Sequence, residues 1–173
     1  ELLDLLIKTG RLQFYIVSLI LSGFIVFGKQ FISLWAGEEY TESYAICIIC
    51  FFALFIPLVQ TLGPIILQAK NEMKFRTLLF TGFSIVCLLL QIILAPRYGG
   101  IGCAIAILIA FFFGQGIILN LYYHFKQKLN MIYFWTEIGK IAVFPIMLTF
   151  ISYYLIGLIP VNNIISLISY III

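Results

Sequence analysis

The spacing of the charges limits this chain more than any other feature. No Lys, Arg, Asp or Glu lies between Arg11 and Lys29, between Glu42 and Lys70, between Arg76 and Arg97, or between Arg97 and Lys126. About 20 helical residues cross a hydrocarbon layer roughly 30 Å thick, so each of these runs is a candidate membrane span. After Lys140 no charge follows, and Pro160, Val161, Asn162 and Asn163 place a turn inside that stretch. The pattern therefore predicts spans over about 12–34, 44–68, 77–95, 101–123 and 141–159, with an incomplete sixth over 164–173.

Composition agrees with lipid as the solvent. Hydrophobic residues make up 64% of the 173 residues and charged residues 10%, too little polar surface to coat a water-soluble globule of this size. Only helices and closed barrels satisfy every backbone group in lipid. Barrel strands alternate polar and apolar residues, and runs such as Ile101 to Phe113 show no alternation. The expected fold is an all-α, polytopic transmembrane helix bundle of about six spans. The short last run and a first residue other than Met lead us to expect a fragment cut at both ends.

Basic residues sort to one side when alternate loops are assigned to alternate faces. Lys8, Arg11, Lys70, Lys74, Arg76, Lys126, Lys128 and Lys140 share a side; Lys29 and Arg97 occupy the other, where Glu38, Glu39 and Glu42 also cluster. Cytoplasmic loops collect Lys and Arg, so the first side is expected to face the cytosol. Trp35, Tyr40 and Tyr44 flank the first outer loop, and Tyr122, Tyr123, Tyr133 and Trp135 flank the second inner one, as expected of headgroup-level rings. Residues 129–137 read either as a short interfacial helix or as a loop.

Inside the spans the informative residues are small or polar. Gly102, Ala106, Ala110 and Gly114 recur every fourth residue on the fourth span, a narrow ridge for close helix packing. Pro57 and Pro64 each remove a donor from the second span and crowd the carbonyls of Ala53 and Gln60, so that span is expected to bend. Gln60 and Gln68 share the proline stripe. A kink steadied by neighbours and a hinge lining a polar path both fit. Thr77, Thr81, Ser84 and Gln91 fall on one side of the third span, while Gln115 and Asn120 add amides to the fourth. The candidate substrate path is thus Gln60, Gln68, Ser84, Gln91 and Gln115, with Pro57 and Pro64 as the hinge.

No catalytic or metal-binding pattern emerges. Cys47 and Cys50 form a CxxC, but these and Cys87 and Cys103 lie in apolar runs and read as buried small side chains. His124 stands alone at the inner border. No glycine-rich phosphate loop or paired inward carboxylates occur, so neither enzymatic activity, a cofactor, a metal nor a nucleic-acid partner is expected.

Three connecting segments resemble Wzx-type polysaccharide flippases, of the superfamily that also holds multidrug exporters and the lipid II flippase. Leu34-Trp35-Ala36-Gly37-Glu38-Glu39-Tyr40, followed by Ser43 to Ala45, resembles an outer loop of that family. Leu67-Gln68-Ala69-Lys70-Asn71-Glu72-Met73-Lys74 is similar to an inner loop, and Arg97-Tyr98-Gly99-Gly100-Ile101-Gly102-Cys103-Ala104 to the turn that opens the next helix. The resemblance implies the later helices of a two-lobe carrier, part of its second lobe. It further implies movement of an undecaprenyl-diphosphate-linked oligosaccharide across the bacterial cytoplasmic (inner) membrane, for O-antigen or capsule assembly with other polysaccharide-assembly proteins. A cation-coupled multidrug antiporter and a membrane-bound glycan polymerase are the competing readings.

Overall fold

The computed structural model describes residues 2–156. Among them every regular element is helical: α1 (Leu2–Trp35), a 3₁₀ turn (Glu38–Tyr40), α2 (Glu42–Val59), α3 (Leu62–Ala69), α4 (Met73–Phe111), a π-helical segment (Phe112–Leu119), α5 (Asn120–Phe125) and α6 (Met131–Ile156). Four stretches are long and apolar enough to cross a membrane: Leu2–Trp35, Glu38–Val59, Met73–Phe125 and Met131–Ser152.

The longest of these, 53 residues, folds back on itself. Pro96 removes a helix donor, and Gly99 adopts φ 57° and ψ −136°, a backbone open to glycine and costly for other residues. Phe75 and Tyr122, nearly equidistant from Gly99 in sequence, stack with ring centroids 4.2 Å apart. Nearer the turn, Gly114 lies against Phe83 and Gly102 against the Leu94 carbonyl. Two antiparallel legs result, matching the third and fourth expected spans. Gly102, Ala106, Ala110 and Gly114 are all buried, and a Cβ on Gly102 would stand 2.6 Å from the Leu94 oxygen. The ridge of small residues is what lets the legs approach.

The second expected span also departs from a straight rod. α2 stops at Val59, α3 begins at Leu62, and the Gly63 N–H turns back to the Gln60 carbonyl at 2.9 Å. The break falls four residues before Pro64, where that ring would meet the helix; Pro57 stays within α2. α1 covers the interruption. The Gln13 amide, its nitrogen turned toward α2, donates to Leu58 O at 3.1 Å and Val59 O at 3.2 Å. At the break the Leu58 carbonyl also takes the Thr61 hydroxyl at 2.7 Å, and the neighbouring helix adds a donor to both carbonyls.

Other boundaries differ from expectation. α1 starts at Leu2 rather than near residue 12, because Asp4, Lys8 and Arg11 are compatible with helix and lie beyond the apolar layer. α6 begins at Met131, so the segment read as an interfacial helix or loop forms the first turns of a continuous helix. The expected span over 164–173 lies outside the described residues.

Packing is uneven along the bundle axis. Leu6, Ile7 and Phe14 of α1, Val59, Ile66, Leu67, Leu119 and Tyr123, and Met131, Phe134 and Ile138 of α6 form the main core, all toward the basic end. A Cβ on Gly10 would fall 2.8 Å from the Phe134 ring, and one on Gly63 2.7 Å from the Tyr123 hydroxyl. These glycines set the closest helix approaches. Toward the opposite end α1 and α2 stay joined through Phe24, which stacks on Tyr44 and meets Phe51 at a tilt, and through Tyr44 Oη–H donating to Ile25 O at 2.8 Å. α6 stays beside α1 there, with Leu148, Thr149 and Ser152 near Leu19, Ser22 and Val26, and a cleft of about 570 Å³ opens between α1, α2 and α6.

Candidate functional site

Polar side chains buried within the bundle converge on Asn120. Its Oδ1 accepts from Gln60 Nε2 at 2.7 Å and from the Trp135 indole N–H at 3.1 Å. Its Nδ2 donates to Gln115 O at 3.0 Å and Gly116 O at 2.9 Å. One amide thereby ties α2, α5 and α6 together, with Gln60 3% and Asn120 9% exposed. The bond to the carbonyl five residues back coincides with the wide π turn over Phe112–Leu119. Such widened turns occur where a side chain enters the helical ladder.

A second network ties the short basic-end connections. Tyr122 Oη–H donates to Glu72 Oε2 at 3.2 Å, Gln127 Nε2 donates to the same oxygen, and Lys70 Nζ donates to Gln127 Oε1 at 2.7 Å. A third joins the first and last helices: Glu137 accepts from Arg11 and, at 2.5 Å, from Lys140. Glu137 is buried between two partly exposed cations, an arrangement that lets a carboxylate sit at the edge of the apolar layer.

The structure separates the residues expected to line a path. Ser84, Gln91 and Gln115 share a narrow groove of about 180 Å³ between the two legs. Gln60 belongs instead to the Asn120 cluster, and Gln68 is exposed. The break at Gln60 and Thr61 interrupts the helical stripe that would have kept them together. Thr77, Thr81 and Ser84 are exposed on their leg, each hydroxyl donating to the carbonyl four residues earlier at 3.1, 3.0 and 2.8 Å. Back-bonding of that kind satisfies a hydroxyl without a partner helix. Pro57 is half-buried in α2, and Pro64 sits in the first turn of α3.

Sequence reasoning passed over Glu72, Gln127 and Glu137. Two of them carried a signal, each being an acid set among basic residues: Glu72 between Lys70 and Lys74, Glu137 three before Lys140. Among the described residues three buried side-chain oxygens have no protein partner: Gln30 Oε1, Gln60 Oε1 and Tyr123 Oη. Cys47, Cys50, Cys87 and Cys103 are free thiols, and no group of three or more His, Cys, Asp or Glu that could hold a metal ion occurs among the described residues.

Comparison with protein-family models, with curated proteins and with solved structures finds no match.

Proposed function

We propose that this chain is part of the second lobe of a transporter that moves an undecaprenyl-diphosphate-linked oligosaccharide across a bacterial inner membrane for surface polysaccharide assembly. The supporting observation is the uneven packing of the bundle. α1, α2 and α6 share one core at the basic end, whereas toward the other end α6 stays beside α1 and a cleft lined by Phe14, Leu21, Phe55, Pro145 and Phe150 opens between α6 and α2. Carriers that expose a site to one side at a time need helices that stay fastened at one end while separating at the other. The three connecting segments that resemble Wzx-type flippases support the substrate class. In this reading the chain contributes about six spans, the Pro64 break serves as the hinge, and the groove of Ser84, Gln91 and Gln115 borders the substrate path.

Deleting the gene should trap lipid-linked repeat units on the cytoplasmic side of the inner membrane, measured by their accessibility in inverted and right-side-out vesicles. Surface polysaccharide at wild-type level in the deletion strain contradicts the proposal. The apolar lining of the cleft equally suits an amphipathic drug, which favours a cation-coupled antiporter as the second reading. Drug hypersensitivity with normal polysaccharide in the same strain would select it.

A further inference from the structure

A groove of about 630 Å³ runs between the end of the second leg and the start of α6. Ile117, Leu121 and Phe125 form one wall, Met131, Ile132 and Trp135 the other. Its apparent polarity is largely spent. Asn120 borders the groove, but its oxygen already takes two donors and its nitrogen gives two hydrogen bonds, and the Trp135 N–H is one of those donors. What the inner part of the groove presents is therefore hydrocarbon and ring surface. A sugar would find few partners there, whereas an acyl chain loses nothing.

The basic end of the groove has the opposite character. There Phe125 on one wall and Met131 on the other flank the linker between α5 and α6, in which Lys126 and Lys128 are both exposed, and no acid occurs between residues 121 and 136. Glu72, the nearest acid from the preceding connection, is engaged by Tyr122 and Gln127. His124 borders the groove with a buried Nδ1 that has no protein partner. A hydrocarbon groove whose two walls are joined by a linker carrying two exposed lysines is complementary to a lipid with a negative headgroup.

We infer that this groove is a binding site for a resident bilayer phospholipid with an anionic headgroup, its acyl chain along Leu121 and Trp135 and its phosphate at Lys126 and Lys128. The inference does not depend on what the protein transports. The charge complementarity selects an anionic lipid over a zwitterionic one, since each lysine near a negative headgroup contributes about fivefold in affinity at low salt.

Trp135 makes the site testable in the full-length protein in which every other tryptophan, Trp35 included, is replaced by Phe. The protein is reconstituted in phosphatidylcholine vesicles doped with brominated-acyl phosphatidylglycerol or, at equal mole fraction, brominated-acyl phosphatidylcholine. Trp135 fluorescence should be quenched several-fold more effectively by the phosphatidylglycerol. The Lys126→Gln/Lys128→Gln variant, altered only at exposed linker positions, should lose that preference while keeping the quenching by phosphatidylcholine. Equal quenching by both lipids overturns the inference, as does a preference that survives in the double variant. Absence of quenching by either lipid also overturns it, because the groove is then covered by protein.

Discussion

The two ends of this bundle solve the same problem differently. At the basic end, helices distant in sequence meet through buried rings, glycine contacts and charge pairs, as where Phe134 of α6 sits on Gly10 of α1. At the opposite end contacts rest on fewer buried groups: α1 meets α2 through Phe24 and Tyr44, the two legs meet through Gly102, and Gly100 lies against Ile46 of α2. α6 carries Val143, Phe144, Met147 and Phe150 there as exposed residues. Helices gain no hydrophobic advantage from touching each other in lipid. An end holds together only where small residues or polar partners are provided, and beyond its first turns α6 offers Ala142, Thr149 and Ser152 toward α1 alone.

That contrast sets a scale for substitutions. Phe134 is 0% and Phe150 79% exposed on the same helix. Phe134→Ala should cost about 3–5 kcal/mol, and Phe150→Ala should stay within about 0.5 kcal/mol. Thermal unfolding of the detergent-solubilised protein reads both, and similar shifts for the two variants would erase the distinction between the ends. Next in size is Ala106→Phe on the ridge. Ala106 is 0% exposed, so the larger ring forces the legs apart at a cost of about 1–3 kcal/mol. An unchanged melting temperature would mean that the ridge does not govern the approach of the legs.

Asn120→Leu is expected to cost a comparable amount, about 0.6–2 kcal/mol for each of the bonds to Gln60 and Trp135, and its distinguishing effect is local. It strips the acceptor from Gln60 and Trp135 while leaving the apolar core intact. Faster amide exchange should be confined to Phe112–Leu119 and the ends of α2 and α6. Exchange that rises equally at the opposite end would show that the two halves are coupled.

Much of this arrangement is written in local pattern. Uncharged runs place the helices, the Pro64 ring marks the break before α3, and the four-residue spacing of Gly102, Ala106, Ala110 and Gly114 marks the face that is buried. Charges mislead as boundary marks, because a helix can continue past the apolar layer: Lys8 and Arg11 lie well inside α1, and Glu137 inside α6. The candidate site was less legible. The stripe joining Gln60 to Gln68 assumes one unbroken helix, which the proline removes. That Thr77, Thr81 and Ser84 bond to their own helix, and that Asn120 accepts from two others, depends on neighbours whose placement no spacing rule supplies.

The Arg11 to Glu137 pair joins residues 126 positions apart, and this fixes an order of events during synthesis. At roughly 5–20 residues per second, α1 waits many seconds for the helix that completes its surface, whereas the legs around Gly99 can zip soon after they emerge. Chains truncated after Lys128 should still cross-link between cysteines placed at Phe75 and Tyr122, while a cysteine at Gly10 stays reactive to a thiol reagent. Equal protection of Gly10 with and without α6 would contradict that order. Among the described helices α1 emerges well before the partner that completes its surface, and it must be sheltered for the interval.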